Sequence, residues 1–149
     1  MCRGDSNGWK WSSNPQVVRR GLEHEGSEET IDTMCSKNAI GHGQAQHGAD
    51  IRGPEHFKQF WRGFRGAFSS INIDIHDTIE QDHRVVARWT MAMTHTGTFL
   101  GIAPANKRVT VNGISIQRLV DGKIVEAWDN WDQLSLLVQL GAVPEPKFL

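Results

Sequence analysis

The chain has 149 residues, a usual length for one compact domain and enough to bury a hydrophobic core without a disulfide or a metal. Lys and Arg number 16 and Asp and Glu number 17, so the net charge is -1 and a basic surface for nucleic acid is not expected. The aromatic residues are six Trp and six Phe with no Tyr, which excludes any mechanism that depends on a phenol group.

Cysteine content and hydropathy indicate where such a protein works. Cys2 and Cys35 are the two cysteines, too few for a disulfide framework, and we expect free thiols in a reducing compartment. No stretch approaches the roughly 20 apolar residues that a membrane span needs, so no membrane partner is expected. These features predict a cytoplasmic protein.

The first third of the chain predicts a polar arm followed by helices. Residues 1–14 are rich in Gly, Ser and Asn and predict a flexible arm ahead of one domain over residues 15–149. One short helix is predicted from Pro15 to Glu25 and a weaker one from Ser27 to Lys37. The glycine-containing run 41–48 predicts a loop.

The strongest helical pattern runs from Gly53 to Phe68. Pro54 stands at its start, and Glu55 in the first turn complements the helix dipole. Aromatic side chains recur at helical spacing along one face, at Phe57, Phe60, Trp61, Phe64 and Phe68. Such a face must pack on a wide apolar surface.

Everything after this helix alternates between apolar and polar residues. The alternation predicts strands at 71–76, 85–95, 109–119 and 124–131, a hairpin turn at Asp121-Gly122, and a short helix or turn near Leu134 to Leu140. Helices followed by a run of strands indicate an α+β fold. We expect a curved antiparallel sheet, packed against the N-terminal helices, that forms a cone-shaped barrel around an apolar cavity for a small hydrophobic molecule.

Metal and nucleotide sites have little support in the sequence. Cys35, His42 and His47 lie near one another, but their spacing matches no zinc signature. The chain also lacks a nucleophile elbow, a Walker loop and a dinucleotide-binding fingerprint. We therefore expect neither a metal nor a cofactor.

Asp129 is the first candidate catalytic residue. Strand alternation places it on the same face as Val125, Ala127 and Trp131, which are otherwise apolar. Loss of hydration there raises the pKa of a carboxyl group toward the range useful for proton transfer. The alternative is structural: Asp129 caps the following helix or hydrogen-bonds a neighbour, and the pattern alone favours neither.

The residues opposite Asp129 depend on the register of the last hairpin. A two-residue turn at Asp121-Gly122 would place Ile114 and Ile116 on the face of Asp129. A three-residue turn with a left-handed Gly122 would place Gly113, Ser115 and Gln117 there instead. The second register gives a carboxylate polar neighbours, and we prefer it.

His95 is the second candidate catalytic residue. It continues the face of Trp89, Met91 and Met93 to the end of a strand. An imidazole with a pKa near neutral could orient or protonate a substrate carbonyl. A solvated histidine at a strand end explains the same pattern.

Three runs of the sequence resemble the SnoaL-like polyketide cyclases, which belong to the superfamily named after nuclear transport factor 2. The runs are Gly53–Phe57, Arg88–Pro104 and Val111–Asp132, within a resemblance that covers about residues 40–142. The resemblance implies an intramolecular aldol condensation that closes a ring in an aromatic polyketide ester without a metal or cofactor.

The resemblance also implies roles for particular residues. The acid/base aspartate of the family aligns with Asp129, and His42 falls where relatives carry a histidine before the Gly-Pro-Glu helix. The pocket histidine and glutamine of the cyclases align with Ser115 and Gly113, so those polar contacts are replaced here. With the three tryptophans expected to hold a flat ring system, the predicted substrate-binding residues are His42, Trp61, Trp89, Met91, Ser115 and Trp131.

Two other functions fit the same pocket. A related epoxide hydrolase would use an Asp-Arg-Asp relay, for which Arg88 is available but Thr90 stands where a second aspartate is wanted. A non-catalytic carrier or sensor would bind a hydrophobic ligand without turnover. In each case we expect a homodimer, because an open curved sheet leaves a face that an identical partner commonly covers.

Overall fold

A computed structural model describes residues 28–44, 48–145 and 147. The predicted arm over residues 1–14, the helix predicted from Pro15 to Glu25, Cys2 and His47 lie outside the described residues. Within them the elements, in chain order, are α1 (Glu28–Met34), β1 (Cys35–His42), β2 (Ile51–Arg52), α2 (Gly53–Ala67), β3 (Phe68–Gln81), β4 (Arg84–His95), β5 (Arg108–Val120), β6 (Lys123–Trp131) and α3 (Gln133–Gln139). None of the described helices is long and apolar enough to cross a membrane.

The strands form one sheet in the order β2-β1-β6-β5-β4-β3. The predicted α+β fold with helices packed on a curved sheet is confirmed. The sheet is mixed rather than antiparallel throughout as expected, because β1 pairs in parallel with β6 while the other neighbouring pairs are antiparallel. A parallel neighbour requires a long connection, which here is the whole chain between β1 and β6.

β1 is the element that the sequence pattern missed. The helix predicted from Ser27 to Lys37 ends at Met34, and the loop predicted over 41–48 begins only after His42. The segment Cys35–His42 has no clear apolar alternation, so it reads neither as a strand nor as a helix. It is extended because β2 pairs with one edge and β6 with the other, a tertiary effect that overrides local preference.

The predicted helix Gly53–Phe68 is confirmed as α2, which ends one residue earlier. Phe64 is buried in its last turn, and the Phe64 ring centroid lies 5.7 Å from that of Trp61 and 5.0 Å from that of Phe68. Lys58 is also buried, and its ammonium group lies 2.8 Å from Asp32 and 2.7 Å from Glu55. The aromatic face therefore packs on the sheet, while Lys58 ties α2 to α1.

β3 contains two bulges. Its pairing with β4 shifts twice, between Ser69 and Asn72 and again between Ile75 and Asp77, and Ser70 has a φ of 50°. Such bulges bend a strand and increase its twist. The inner face of β4 follows the predicted alternation and is buried at Ala87, Trp89, Met91, Met93 and His95.

The β5–β6 hairpin combines the two registers that the sequence left open. The turn is the two-residue Asp121-Gly122, with φ values of 48° and 74°, because Val120 pairs with Lys123. The register then shifts by one residue at Val125, which lies between Ile124, opposite Leu119, and Glu126, opposite Arg118. As a result Ser115 lies opposite Asp129, as preferred, although the turn is the shorter one.

Candidate active site

A cavity of about 90 Å³ lies between the helices and the β1–β6 end of the sheet. Its wall is mostly apolar, with Ile31 and Met34 from α1, Ile40 from β1, Ile51 from β2, Phe57 from α2 and Ile124 from β6. The polar side chains in the wall are Thr30, Gln44, Gln117 and Asp129. Asp129 is thus the one carboxylate that the described wall contains.

Both carboxylate oxygens of Asp129 accept hydrogen bonds. The Ser115 hydroxyl donates to Oδ1, and the Gln44 side-chain amide donates to Oδ2. Burial raises the pKa of Asp129 above its ordinary value, and the Ser115 hydrogen bond opposes part of that rise. A group with this environment holds a proton more readily than an exposed aspartate, as general acid/base chemistry requires.

The structure decides between the two structural alternatives for Asp129. The cap of α3 is Asp132, whose side chain accepts a hydrogen bond of 2.8 Å from the Ser135 backbone N–H. Asp129 is therefore free of a capping role. Its hydrogen bonds to Ser115 and Gln44 hold it in the wall of the cavity.

Ser115 is held in turn by Trp89. The indole Nε1–H of Trp89 donates to the Ser115 hydroxyl at 2.8 Å, and the two residues are only 4% and 1% exposed. The ring lies over Gly113, where a Cβ atom would stand 2.3 Å from the indole carbon Cζ2. A glycine at position 113 therefore makes room for the indole to reach Ser115.

The predicted aromatic wall lies elsewhere. Trp89 and Met91 are buried in the hydrophobic core, and Trp61 and Trp131 pack against that core partly exposed. These four residues do not appear in the described lining of the 90 Å³ cavity. Their predicted contact with substrate stays a prediction, and only Trp89 is linked to Asp129, through Ser115.

The structure does not bring His95 and Asp129 together. His95 stands eight positions along β4 from Ala87, which pairs with Ser115 and so marks the level of Asp129. At about 3.4 Å per residue the two side chains are roughly 27 Å apart along the sheet. His95 is completely buried against Phe68, and its Nδ1 atom accepts a hydrogen bond of 3.2 Å from the Ala105 N–H.

His42 lies on the opposite face of the sheet from Asp129. It pairs with Trp128 and stacks on its indole at 5.2 Å, while its ring nitrogens lie 3.2 Å from Asp50 and 3.0 Å from Glu126. The hydrogen bond with Glu126 is the main reason that the pKa of His42 is raised. His42 therefore links β1 to β6 and to the segment before β2.

Gln44 is the site residue that the sequence reasoning missed. It follows β1 in a segment that the glycine pattern marked only as loop, and its contact with Asp129 spans 85 positions of the chain. Gly41 is the one available signal, because a Cβ atom there would lie 2.7 Å from the Gln44 Oε1 atom. A glycine that leaves room for a side chain cannot be told from a loop glycine by sequence alone.

A thiol group also lies in the cavity wall. Cys35 lines the wall, and burial is the main cause that raises the pKa of its thiol. Within residues 28–44, 48–145 and 147, no three His, Cys, Asp or Glu side chains are arranged to hold a metal ion. Asp129 and its partners are thus the part of the described cavity equipped for proton transfer.

The chain is similar in sequence to known proteins. The family model of the SnoaL-like polyketide cyclases matches residues 16–140. The chain is 27% identical over 133 residues to the aklanonic acid methyl ester cyclase DnrD of Streptomyces peucetius, covering 87% of this chain and 92% of the relative.

Solved structures show the same fold at lower identity. A candidate SnoaL-like polyketide cyclase from Jannaschia sp. CCS1 has a TM-score of 0.77 at 19% identity, over 92% of this chain and all of that one. An NTF2-like protein of unknown function from Burkholderia pseudomallei K96243 has a TM-score of 0.69 at 18% identity, over 87% and 98% of the two chains. The predicted resemblance is confirmed at the level of family and fold.

Proposed function

Because the chain belongs to the SnoaL-like polyketide cyclase family, we propose that it closes a ring in a hydrophobic polyketide ester, with Asp129 as the acid/base group. The observation that carries the proposal is the position of Asp129 in a mostly apolar wall, where burial raises the pKa of its carboxyl group. The similarity to DnrD, a cyclase of aklanonic acid methyl ester, supports an ester of this class as substrate.

The proposed reaction is an intramolecular aldol condensation. The Asp129 carboxylate removes a proton from a carbon beside a carbonyl, and the electron pair left on that carbon attacks a second carbonyl of the same molecule. The new carbon–carbon bond closes the ring, and Asp129 returns the proton to the resulting alkoxide. No electron is gained or lost, so the chemistry calls for positioning and proton transfer only.

The apolar wall contributes to this reaction by excluding water. Ile40, Ile51 and Phe57 offer no hydrogen bonds that would compete for the carbonyl groups of a substrate. Asp129 therefore meets its substrate in a poorly hydrated site, where a carboxylate is a stronger base than in water. Gln117, in the same wall, supplies an amide for a substrate oxygen.

The first prediction concerns the substitution Asp129→Asn. Aklanonic acid methyl ester is the test substrate, and ring closure is followed by separation of product from substrate. We expect the rate to fall at least about 100-fold, the usual contribution of a general acid/base group. Because the pKa of Asp129 is raised, the wild-type rate should also fall on the acid side at a higher pH than an ordinary aspartate would give.

Asp74→Asn is the matched control, since it makes the same change on an exposed side chain of β3. It should retain the wild-type rate. An Asp129→Asn variant that cyclises the ester at the wild-type rate contradicts the role of Asp129. Tight binding of the ester without product, unaffected by Asp129→Asn, identifies the protein as a carrier instead.

The epoxide-hydrolase alternative has less support from the geometry. Arg88 lies on the outer face of β4, where its guanidinium group pairs with Asp77 at 2.6 Å. The residues that contact Asp129 are Ser115 and Gln44 rather than an arginine and a second carboxylate. The site is therefore better suited to a single carboxylate that moves one proton.

A further inference from the structure

The hydrogen bonds from Trp89 to Ser115 to Asp129 have a fixed direction. An indole N–H can only donate, and an ionised carboxylate can only accept. The Ser115 hydroxyl, which receives the Trp89 N–H at 2.8 Å, must therefore point its own hydrogen at Asp129 Oδ1. Both donors are almost completely buried, so water does not compete for these bonds.

The second oxygen of Asp129 has a different kind of partner. Oδ2 accepts from Gln44, which is partly exposed and belongs to the segment after β1 rather than to the sheet core. Within the described part of the chain, the Gln44 Oε1 atom is buried without a hydrogen-bond partner. A Gln44 amide that turns over would satisfy that atom by accepting a hydrogen from a protonated Oδ2.

Building on the proposed function, we propose that Trp89 is a positioning residue: through Ser115 it holds Asp129 Oδ1 and leaves Oδ2 to receive the proton of the substrate. In that step the carbon–hydrogen bond of the substrate breaks and an Oδ2–H bond forms. The electron pair stays on the substrate carbon, and the same proton later leaves Oδ2 for the alkoxide. Oδ1 takes no part, because the donor that it faces cannot turn away.

Gly113 supports this assignment independently of the hydrogen bonds. The indole of Trp89 fills the space where any other residue at 113 would place its Cβ atom, 2.3 Å from Cζ2. Gly113 pairs directly with Trp89, and the lack of a side chain at this position lets the indole lie across β5. The contact brings the indole Nε1 atom to Ser115, the residue of β5 that lies directly opposite Asp129.

The test is a double-mutant cycle read out on Asp129 itself. The pKa of Asp129 is measured by carbon NMR of labelled aspartate in wild type, Trp89→Phe, Ser115→Ala and the double variant. Each single substitution should raise the pKa, because the carboxylate loses a donor directly or loses its alignment. If Trp89 acts through Ser115, Trp89→Phe should add nothing once Ser115 is alanine, whereas additive shifts overturn the proposal.

Kinetic measurements distinguish positioning from loss of fold. We expect kcat of Ser115→Ala to fall about tenfold with little change in KM, since a hydrogen bond to a charged group is lost. The acid limb of its pH–rate profile should move to higher pH together with the NMR titration. Thr90→Val is the control, because it removes a hydroxyl from the next position of β4 on the outer face and should leave both readouts unchanged.

A further measurement needs no substitution of Trp89. The indole Nε1–H resonance of Trp89 in the wild-type protein should shift as Asp129 titrates, and that shift should vanish in Asp129→Asn. If the indole resonance does not change as Asp129 titrates, the positioning role of Trp89 is overturned. This result can be obtained even if Trp89→Phe does not fold. The NMR measurements require no substrate, so they test the role of Trp89 independently of whether the protein is a cyclase.

Discussion

At the scale of single residues, the site depends on two glycines whose missing side chains leave space for other residues. Gly41 makes room for the Gln44 amide and Gly113 for the Trp89 indole, and both of these side chains lead to Asp129. Strand alternation could predict that Asp129 lies on the apolar face of β6. The glycines could not be interpreted in that way, because their role is set by a side chain that arrives from another element.

Gly113→Ala is predicted to destabilise the fold and to disturb the site together. The added methyl group would meet a rigid ring rather than the flexible end of a side chain, and such overpacking costs about 1–3 kcal/mol. Urea unfolding should show that loss, and the Trp89 indole N–H resonance should move.

Gly63→Ala is the matched control for this substitution. Gly63 lies in α2 with open space around its Cα atom, so alanine there should raise the free energy of unfolding by about 0.5–1 kcal/mol. If both variants changed stability in the same direction, the close approach of Trp89 to Gly113 would not be the cause.

At the scale of elements, the sequence predicted the helices and strands whose own residues show a periodic apolar pattern. The helix α2 and the strands β3 to β6 carry their own periodicity, and their predicted positions agree with the structure to within a few residues, apart from the longer β3. β1 has no periodicity of its own and forms only between β2 and β6. The sequence pattern also gave no sign of the bulge at Val125. This bulge places Ser115 rather than Ile114 opposite Asp129.

His42 gives the junction of β1 and β6 a dependence on pH. A histidine whose folded-state pKa is raised stabilises the fold fully below its ordinary pKa of about 6.5, and this stabilisation is lost as the pH rises through the raised value. The difference in unfolding free energy between wild type and His42→Gln should therefore be larger at pH 6 than at pH 9.

His83→Gln, in the exposed turn between β3 and β4, controls for the loss of an imidazole. Unfolding in urea at several pH values gives the comparison. A difference between wild type and His42→Gln that stays constant from pH 6 to pH 9 would show that the contacts with Glu126 and Asp50 do not depend on the charge of His42.

At the scale of the whole molecule, the outer face of the sheet exposes an apolar side chain near the middle of β5. Ile114 is 47% exposed there and pairs on either side with Arg88 and Asn130. An apolar side chain on a strand face with polar neighbours suits an isologous contact with a second copy of the chain. We therefore keep the prediction of a homodimer and assign it to this face.

Light scattering coupled to size-exclusion chromatography tests the assembly. The wild-type protein should elute with twice the mass of one chain, and Ile114→Lys should shift it toward a single chain at the same concentration. Since Asp129 faces the other side of the sheet, the dissociated variant should retain the Asp129 pKa of the wild type. A wild-type mass of one chain would rule out the dimer.

The parallel pairing of β1 with β6 also determines at what stage of folding the cavity is completed. The antiparallel hairpins from β3 to β6 join neighbours in sequence and can form early, whereas the contact between Gln44 and Asp129 joins positions 85 apart. The cavity is therefore completed only when β6 meets β1, which the ribosome makes more than 80 residues earlier. Ligand binding should be among the last properties to appear during refolding, which makes it a sensitive measure of how much of the chain has reached its final arrangement.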